Sequence, residues 1–107
     1  MKKVKINPGV CGFLTTVEAQ ADPDEGTVTL KVASGCESIR KLLEQTGDTF
    51  DAYELCLTRP GTGPLYETAG EFFAVHASCP VIAGILKCAE AEAGLALPRD
   101  ASITFEA

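Results

Sequence analysis

The sequence predicts an α+β fold, a mostly antiparallel sheet with about three helices on one of its faces, formed by residues 1–107 as one domain. Three observations carry that expectation. The stretch "TVTLKVA" alternates, placing Val28, Leu30 and Val32 on one face of a strand. Three later segments, opening at Ser34, Pro64 and Pro80, instead space their apolar residues by three and four, as helices with one buried stripe do. No internal repeat, low-complexity tract or linker divides the chain, and 107 residues suffice for one core but not two.

Taken in order, residues 3–6 alternate lysine with apolar side chains and run into Asn7-Pro8-Gly9, a short strand closed by a turn. "GFLTTVEAQA" is rich in β-branched and aromatic residues, and "DPDEG" joins it to "TVTLKVA" as a β-hairpin with one face for burial. "SGCE" fits a capping box, with Ser34 as N-cap and Glu37 at the third helical position. The helix it opens runs through Gln45, buries Ile39, Leu42 and Leu43, and stops at Gly47; Cys36 falls one turn before Ile39 on the same side. "TFDAYELCLT" alternates Tyr53, Leu55 and Leu57 and is read as a strand. After the loop "RPGTGP", a helix from Pro64 places Leu65, Ala69, Phe72, Phe73 and His76 at helical spacing, which puts His76 on the packed face. Pro80 is the first residue of the next helix, Cys79 its N-cap and Gly94 its end, and "LPRDASITFEA" closes the domain as a strand.

Composition narrows the function. A net charge of −6 with no cluster of Lys and Arg argues against nucleic acid or an anionic membrane surface as partner, since both require gathered cations. No apolar run reaches signal-peptide or membrane-spanning length, and the expected location is cytoplasmic. No phosphate-binding glycine loop or nucleophile-elbow motif is present: "RPGTGP" lacks the Lys-Ser/Thr pair that holds a phosphate. Asp22, Asp24 and Glu25 gather where a hairpin turn explains them.

The five cysteines are the informative residues, because in a reducing compartment thiols serve as core, metal ligands or reactive groups rather than disulfides. Cys36 and Cys79 each fall at a helix start, where unpaired N–H groups and the macrodipole favour a thiolate. Cys11 lies in a glycine-flanked turn. Cys56, in the expected strand, and Cys88, mid-helix, read as core, as single free cysteines commonly are. His76 and Cys79 form H-x-x-C across a helix-to-helix turn, although no C-x-x-C occurs anywhere. Three readings remain open. Cys11, Cys36, Cys79 and His76 bind a metal, either zinc or an iron–sulfur centre; or Cys79 alone is a catalytic or persulfide-carrying thiol; or the domain is an interaction module whose cysteines are packing. A protein partner and homo-oligomerisation are open in each.

The segments "INPGVCGF", "SGCESI" and "HASCPVIAGILKCAEAEAGLALP" resemble a small family of prokaryotic cysteine-containing proteins built on a domain of unknown function. That resemblance covers most of the chain and implies one small domain with cysteines near these positions, without an activity or substrate. Locally, "CPVIAGILK" is similar to the C-P-x-P segment of small sulfur-carrier proteins, whose cysteine opens a helix and carries a persulfide. The likeness implies that role for Cys79, with Pro80 and Lys87 matching the segment, while Ile82 replaces its second proline and the motif lies near the C-terminus instead of after the first strand. It is read as shared helix-opening chemistry rather than common descent.

Overall fold

The computed structural model describes every residue except Ala74. Four strands, β1 (Lys2–Ile6), β2 (Thr15–Asp22), β3 (Thr27–Ser34) and β4 (Thr49–Asp51), form one antiparallel sheet in the order β1-β2-β3-β4. Four helices follow or interrupt them: α1 (Glu37–Thr46), α2 (Ala52–Cys56), α3 (Pro64–Phe72) and α4 (Pro80–Glu92). The mixed class and the antiparallel sheet agree with the sequence reading, but there are four helices rather than about three.

Alternation decides which sheet face is covered. Val4 and Ile6, then Thr15, Val17 and Ala19, then Val28, Leu30 and Val32, and finally Phe50 occupy one face and are buried or half-buried. Lys3, Lys5, Thr16, Gln20, Thr29, Lys31 and Thr49 occupy the other and are exposed. On that open face the hydroxyls of Thr29 and Thr49 lie 3.0 Å apart and Lys3 pairs with Glu18 at 3.3 Å. The predicted hairpin between β2 and β3 forms. Its turn is held by the Asp22 carboxylate, which accepts from the amides of Asp24 and Glu25, and by Gly26 at φ 69°.

Helix α4 covers β1 and β2 and supplies the largest share of the helical core: Val81, Ile82, Ile85, Cys88 and Ala89. Gly84 permits the approach. A Cβ there would lie 2.5 Å from Cδ1 and 2.7 Å from Cγ1 of Ile6, so only a residue without a side chain lets the helix axis come this near the strand. One turn later Cys88 is fully buried, and its thiol donates to the carbonyl of Lys2 at 3.4 Å. Glu92 then ties the helix end to the sheet. Its carboxylate accepts from Ala21 N at 3.0 Å and pairs with the N-terminal ammonium at 3.4 Å, which together hold its pKa below the ordinary value. Helix α1 packs on β3 and against α3, burying Ile39 and Leu42.

Several expectations are corrected. Only Thr49–Asp51 of "TFDAYELCLT" is strand; the Asp51 carboxylate accepts from the amides of Tyr53 and Glu54 and so caps α2, which buries Ala52 and Leu55. Ser34 does not cap α1, because it is still paired within the sheet opposite Thr15; Cys36 is the N-cap. Phe13 and Leu14 precede β2 and are exposed instead of lying in it. Helix α3 ends at Phe72, where Phe73 turns extended, and His76 is therefore exposed in a loop rather than packed on a helix. The "LPRDASITFEA" segment forms no strand, and Ile103 and Phe105 are 91% and 98% exposed.

Two predictions follow from the packing. Gly84→Ala should gain about 1 kcal/mol in helix propensity but lose about 1–3 kcal/mol to overpacking against Ile6, for a net fall in the denaturant midpoint. Ile6→Ala in that background should restore part of the loss, so that the double variant is more stable than the sum of the single effects; strict additivity would show that the pair is not in contact. Cys56 is half-buried in α2, and its burial, with the Glu90 carboxylate nearby, pushes the thiol from its ordinary 9.0 up to about 11. Above pH 9 the unfolded chain releases this proton before the folded one does, so stability should fall as pH rises from 9 to 11. Urea midpoints across that window should fall less steeply in Cys56→Ala than in the wild-type chain.

Candidate functional site: the loop end of the sheet

The register places Ile6, Thr15 and Ser34 side by side, so β1 ends, β2 begins and β3 ends in one row across the sheet. Beyond that row lie the loop of residues 7–14 and the Gly35-Cys36 step into α1. Helix α4 runs back along β1: Gly84 meets Ile6 at this end, while Cys88, further along the helix, meets Lys2 at the other. The start of α4, with Cys79, therefore belongs to the same end as the 7–14 loop. Three connections distant in sequence thus bring Cys11, Cys36, Cys79 and His76 to one end of the molecule.

Each connection is held locally. Asn7 Oδ1 accepts from Gly9 N at 3.0 Å, Gly12 N donates to Gly9 O at 3.0 Å, and Gly9 and Gly12 take φ of 91° and 70°, values a side chain would disfavour. This turn leaves Cys11 exposed. At the α1 start, the buried Thr15 hydroxyl lies 2.8 Å from that of Ser34, and Ser34 Oγ accepts from Cys36 N at 3.1 Å. Gly35 N donates to Leu14 O, and the Phe13 ring sits 3.2 Å from where a Cβ of residue 35 would be, so the loop leans on the backbone beside Cys36. Before α4, Cys79 N donates to His76 O at 3.0 Å, closing a turn that leads to Pro80 at the first helical position.

Burial and position in the helices distinguish the five thiols. Cys88 is in the core and Cys56 half-buried, and desolvation pushes both upward, keeping them protonated at neutral pH. Cys36 and Cys79 are half-buried N-caps, and Cys11 is open to solvent. The two N-caps differ. Neither N-cap side chain bonds its helix amides, but Glu37 stands in the first turn of α1, with its carboxylate 3.0 Å from Lys41, whereas α4 has no acid in its first turn. The start of α4 therefore lacks the carboxylate that α1 carries next to Cys36.

The four residues singled out share an end without forming a ligand set. Among the described residues, no three His, Cys, Asp or Glu side chains are grouped so as to hold a metal ion. Lys87 lies two turns along α4 from Cys79 and belongs to a different cleft, beside Lys2 and Lys3. The sequence reading missed the apolar character of the loop itself: Val10 is fully exposed and Leu14 64% exposed on either side of Cys11 and Phe13. The glycine-flanked turn at Cys11 was read from the sequence, but Phe13 and Leu14 were assigned to the strand that begins only at Thr15.

No helix in the described residues is long and apolar enough to cross a membrane. Comparison with curated proteins and with solved structures finds no match to this chain. A protein-family model does match, and it spans residues 2–105, from the first strand to Phe105: the chain belongs to DUF6951, a family of unknown function.

Proposed function

We propose that the protein works through the thiols at its loop end, with Cys79 as the reactive sulfur. The observation that carries this reading is the position of Cys79: half-exposed, opening the thirteen-residue helix α4 with no acid in the first turn and no side chain on its amides. Such a thiol suits attack on a soft sulfur electrophile. Acting as a carrier, the Cys79 thiolate attacks the terminal sulfur of a persulfide donor. The donor's S–S bond breaks, its thiolate leaves, and Cys79 holds the persulfide. Cys11 and Cys36 belong to the same end of the molecule without being grouped with Cys79.

Metal binding by Cys11, Cys36, Cys79 and His76 is supported by their shared end, and it requires the 7–14 loop to close over the start of α4, because the side chains are not gathered as they stand. An interaction role for the same end is favoured by the exposed Val10 and Leu14, which surround Cys11 with apolar surface.

One set of measurements separates these readings. Brief alkylation at neutral pH, read by peptide mass spectrometry, should modify Cys79 and Cys11 first, with Cys56 and Cys88 protected until the chain unfolds. A polysulfide donor should add the mass of one sulfur atom at Cys79, an addition abolished by Cys79→Ser and kept in Cys11→Ser and Cys36→Ser. Zinc or iron that co-purifies and is lost equally in all three variants would replace the carrier with a shared ligand set. Cys79 reacting no faster than Cys88 would end the thiol reading altogether.

A further inference from the structure

The segment after α4 is the part of the molecule whose sequence and structure disagree most. Ser102, Ile103, Thr104, Phe105 and Glu106 alternate polar with β-branched or aromatic side chains, the pattern of a strand with one apolar face. In its own chain the segment pairs with nothing: residues 101–107 are all exposed and carry no regular structure. Ile103 and Phe105, two residues apart and so on the same side of an extended chain, give nearly all of their surface to solvent. A strand needs a partner edge, and an isolated apolar one costs free energy in water.

The sheet offers two edges, and charge chooses between them. Along its outer side β1 is unpaired over Lys2–Ile6, and it carries Lys2, Lys3 and Lys5 without an acid. The edge at β4 is only Thr49–Asp51, preceded by Asp48, and Asp51 is already engaged in capping α2. The tail carries Asp100 and Glu106 and no base after Arg99. An acidic strand is drawn to the lysine edge and repelled by the aspartate edge. Lysines on an edge ordinarily discourage pairing with other strands, so a β1 edge of this kind admits an acidic strand selectively. Beside the β1 edge lies a cleft of about 130 Å³ between β1 and α4, where the apolar Val4, Ala91 and Leu97 stand among charged side chains, Lys2, Lys87 and Glu90 included.

We infer that the β1 edge is an interface for a second copy of this chain, whose segment 102–106 adds to it as a fifth strand. Ile103 and Phe105 lie on the α4 side, against the cleft, and Glu106 lies among the lysines. The chain's own tail lines the cleft as far as Asp100, and residues 101–107 beyond it are exposed and unpaired in their own chain, so the occupant comes from the other copy, and two copies exchanging tails satisfy both edges at once.

The test is the oligomeric state of the full chain by sedimentation velocity over a wide concentration range. The expected result is a reversible dimer that Ile103→Ser with Phe105→Ser abolishes at every concentration. Those two side chains touch no core, so the variant should keep the wild-type far-UV spectrum and melting behaviour when both are monomeric. Lys5→Glu, on an exposed side chain outside any ion pair, should weaken the dimer by roughly an order of magnitude, and added salt should weaken the wild-type dimer more than the variant. Hydrogen exchange gives a second readout, because β1 amides on the outer edge should be protected at high concentration and released on dilution. A wild-type chain that stays monomeric throughout, or a dimer indifferent to the tail substitutions, would falsify the inference. Concentration-independent protection of the tail in a monomer would overturn it too, by placing the strand on its own chain's edge.

Discussion

The contact between Gly84 and Ile6 fixes the rest of the architecture. A sheet with one apolar face needs a cover, and α4 provides most of it over β1 and β2. The cover can be tight only where the helix presents small residues to the strand, as Gly84 and Cys88 do one turn apart. That spacing aligns the helix along β1, with its start beyond Ile6 and its end beside Met1 and Ala21. The placement of Cys79 at the loop end and of Glu92 at the other end are both consequences of this one close approach. Cys88 is accordingly a packing residue: its volume suits the space, its thiol finds the Lys2 and Val17 carbonyls, and its burial raises its pKa.

What was legible in the sequence was whatever a local signal decides alone. The β2–β3 hairpin was readable because the alternation of Val28, Leu30 and Val32 and the Asp22 turn agree with each other. Helix α4 was readable because proline at the first position and glycine after the last mark its ends without reference to the rest of the chain. Helix α2 was not, since five residues are too few for a period of 3.6 to differ from a period of 2, and Leu55 is buried under either. Ser34 misled for a different reason: its hydroxyl does bond an amide near the helix start, that of Cys36, but its backbone is committed to the sheet opposite Thr15. His76 was misplaced because nothing in "EFFAVHAS" announces that the helix ends at Phe72.

The candidate site was legible in its membership but not in its geometry. Separate local signals singled out Cys11, Cys36 and Cys79, but burial sets apart only the exposed Cys11 and the buried Cys88, since Cys36, Cys56 and Cys79 are all half-buried. That they share an end follows from the register Ile6–Thr15–Ser34 and from the direction of α4, and neither is encoded near any cysteine. Sharing an end is also weaker than converging. Two helix starts and a loop turn can lie on one side of a small protein while their side chains remain apart.

The loop end and the β1 edge are independent features, and the distinction has a physical basis. The thiol reading depends on side chains and on the start of one helix, both beyond the row where the strands finish. Pairing at the β1 edge depends on backbone groups of Lys2–Ile6 and on a segment that leaves from the far end of α4. A strand added along β1 lies beside the sheet rather than over its end, so self-association does not require Cys79 to be covered. Cys88 lines the cleft beside β1 but is already fully buried, so its thiol stays inert with or without an added strand. The packing that makes this cysteine inert is therefore independent of the edge, while the cysteine nine residues earlier on the chain stays half-buried at the start of the same helix.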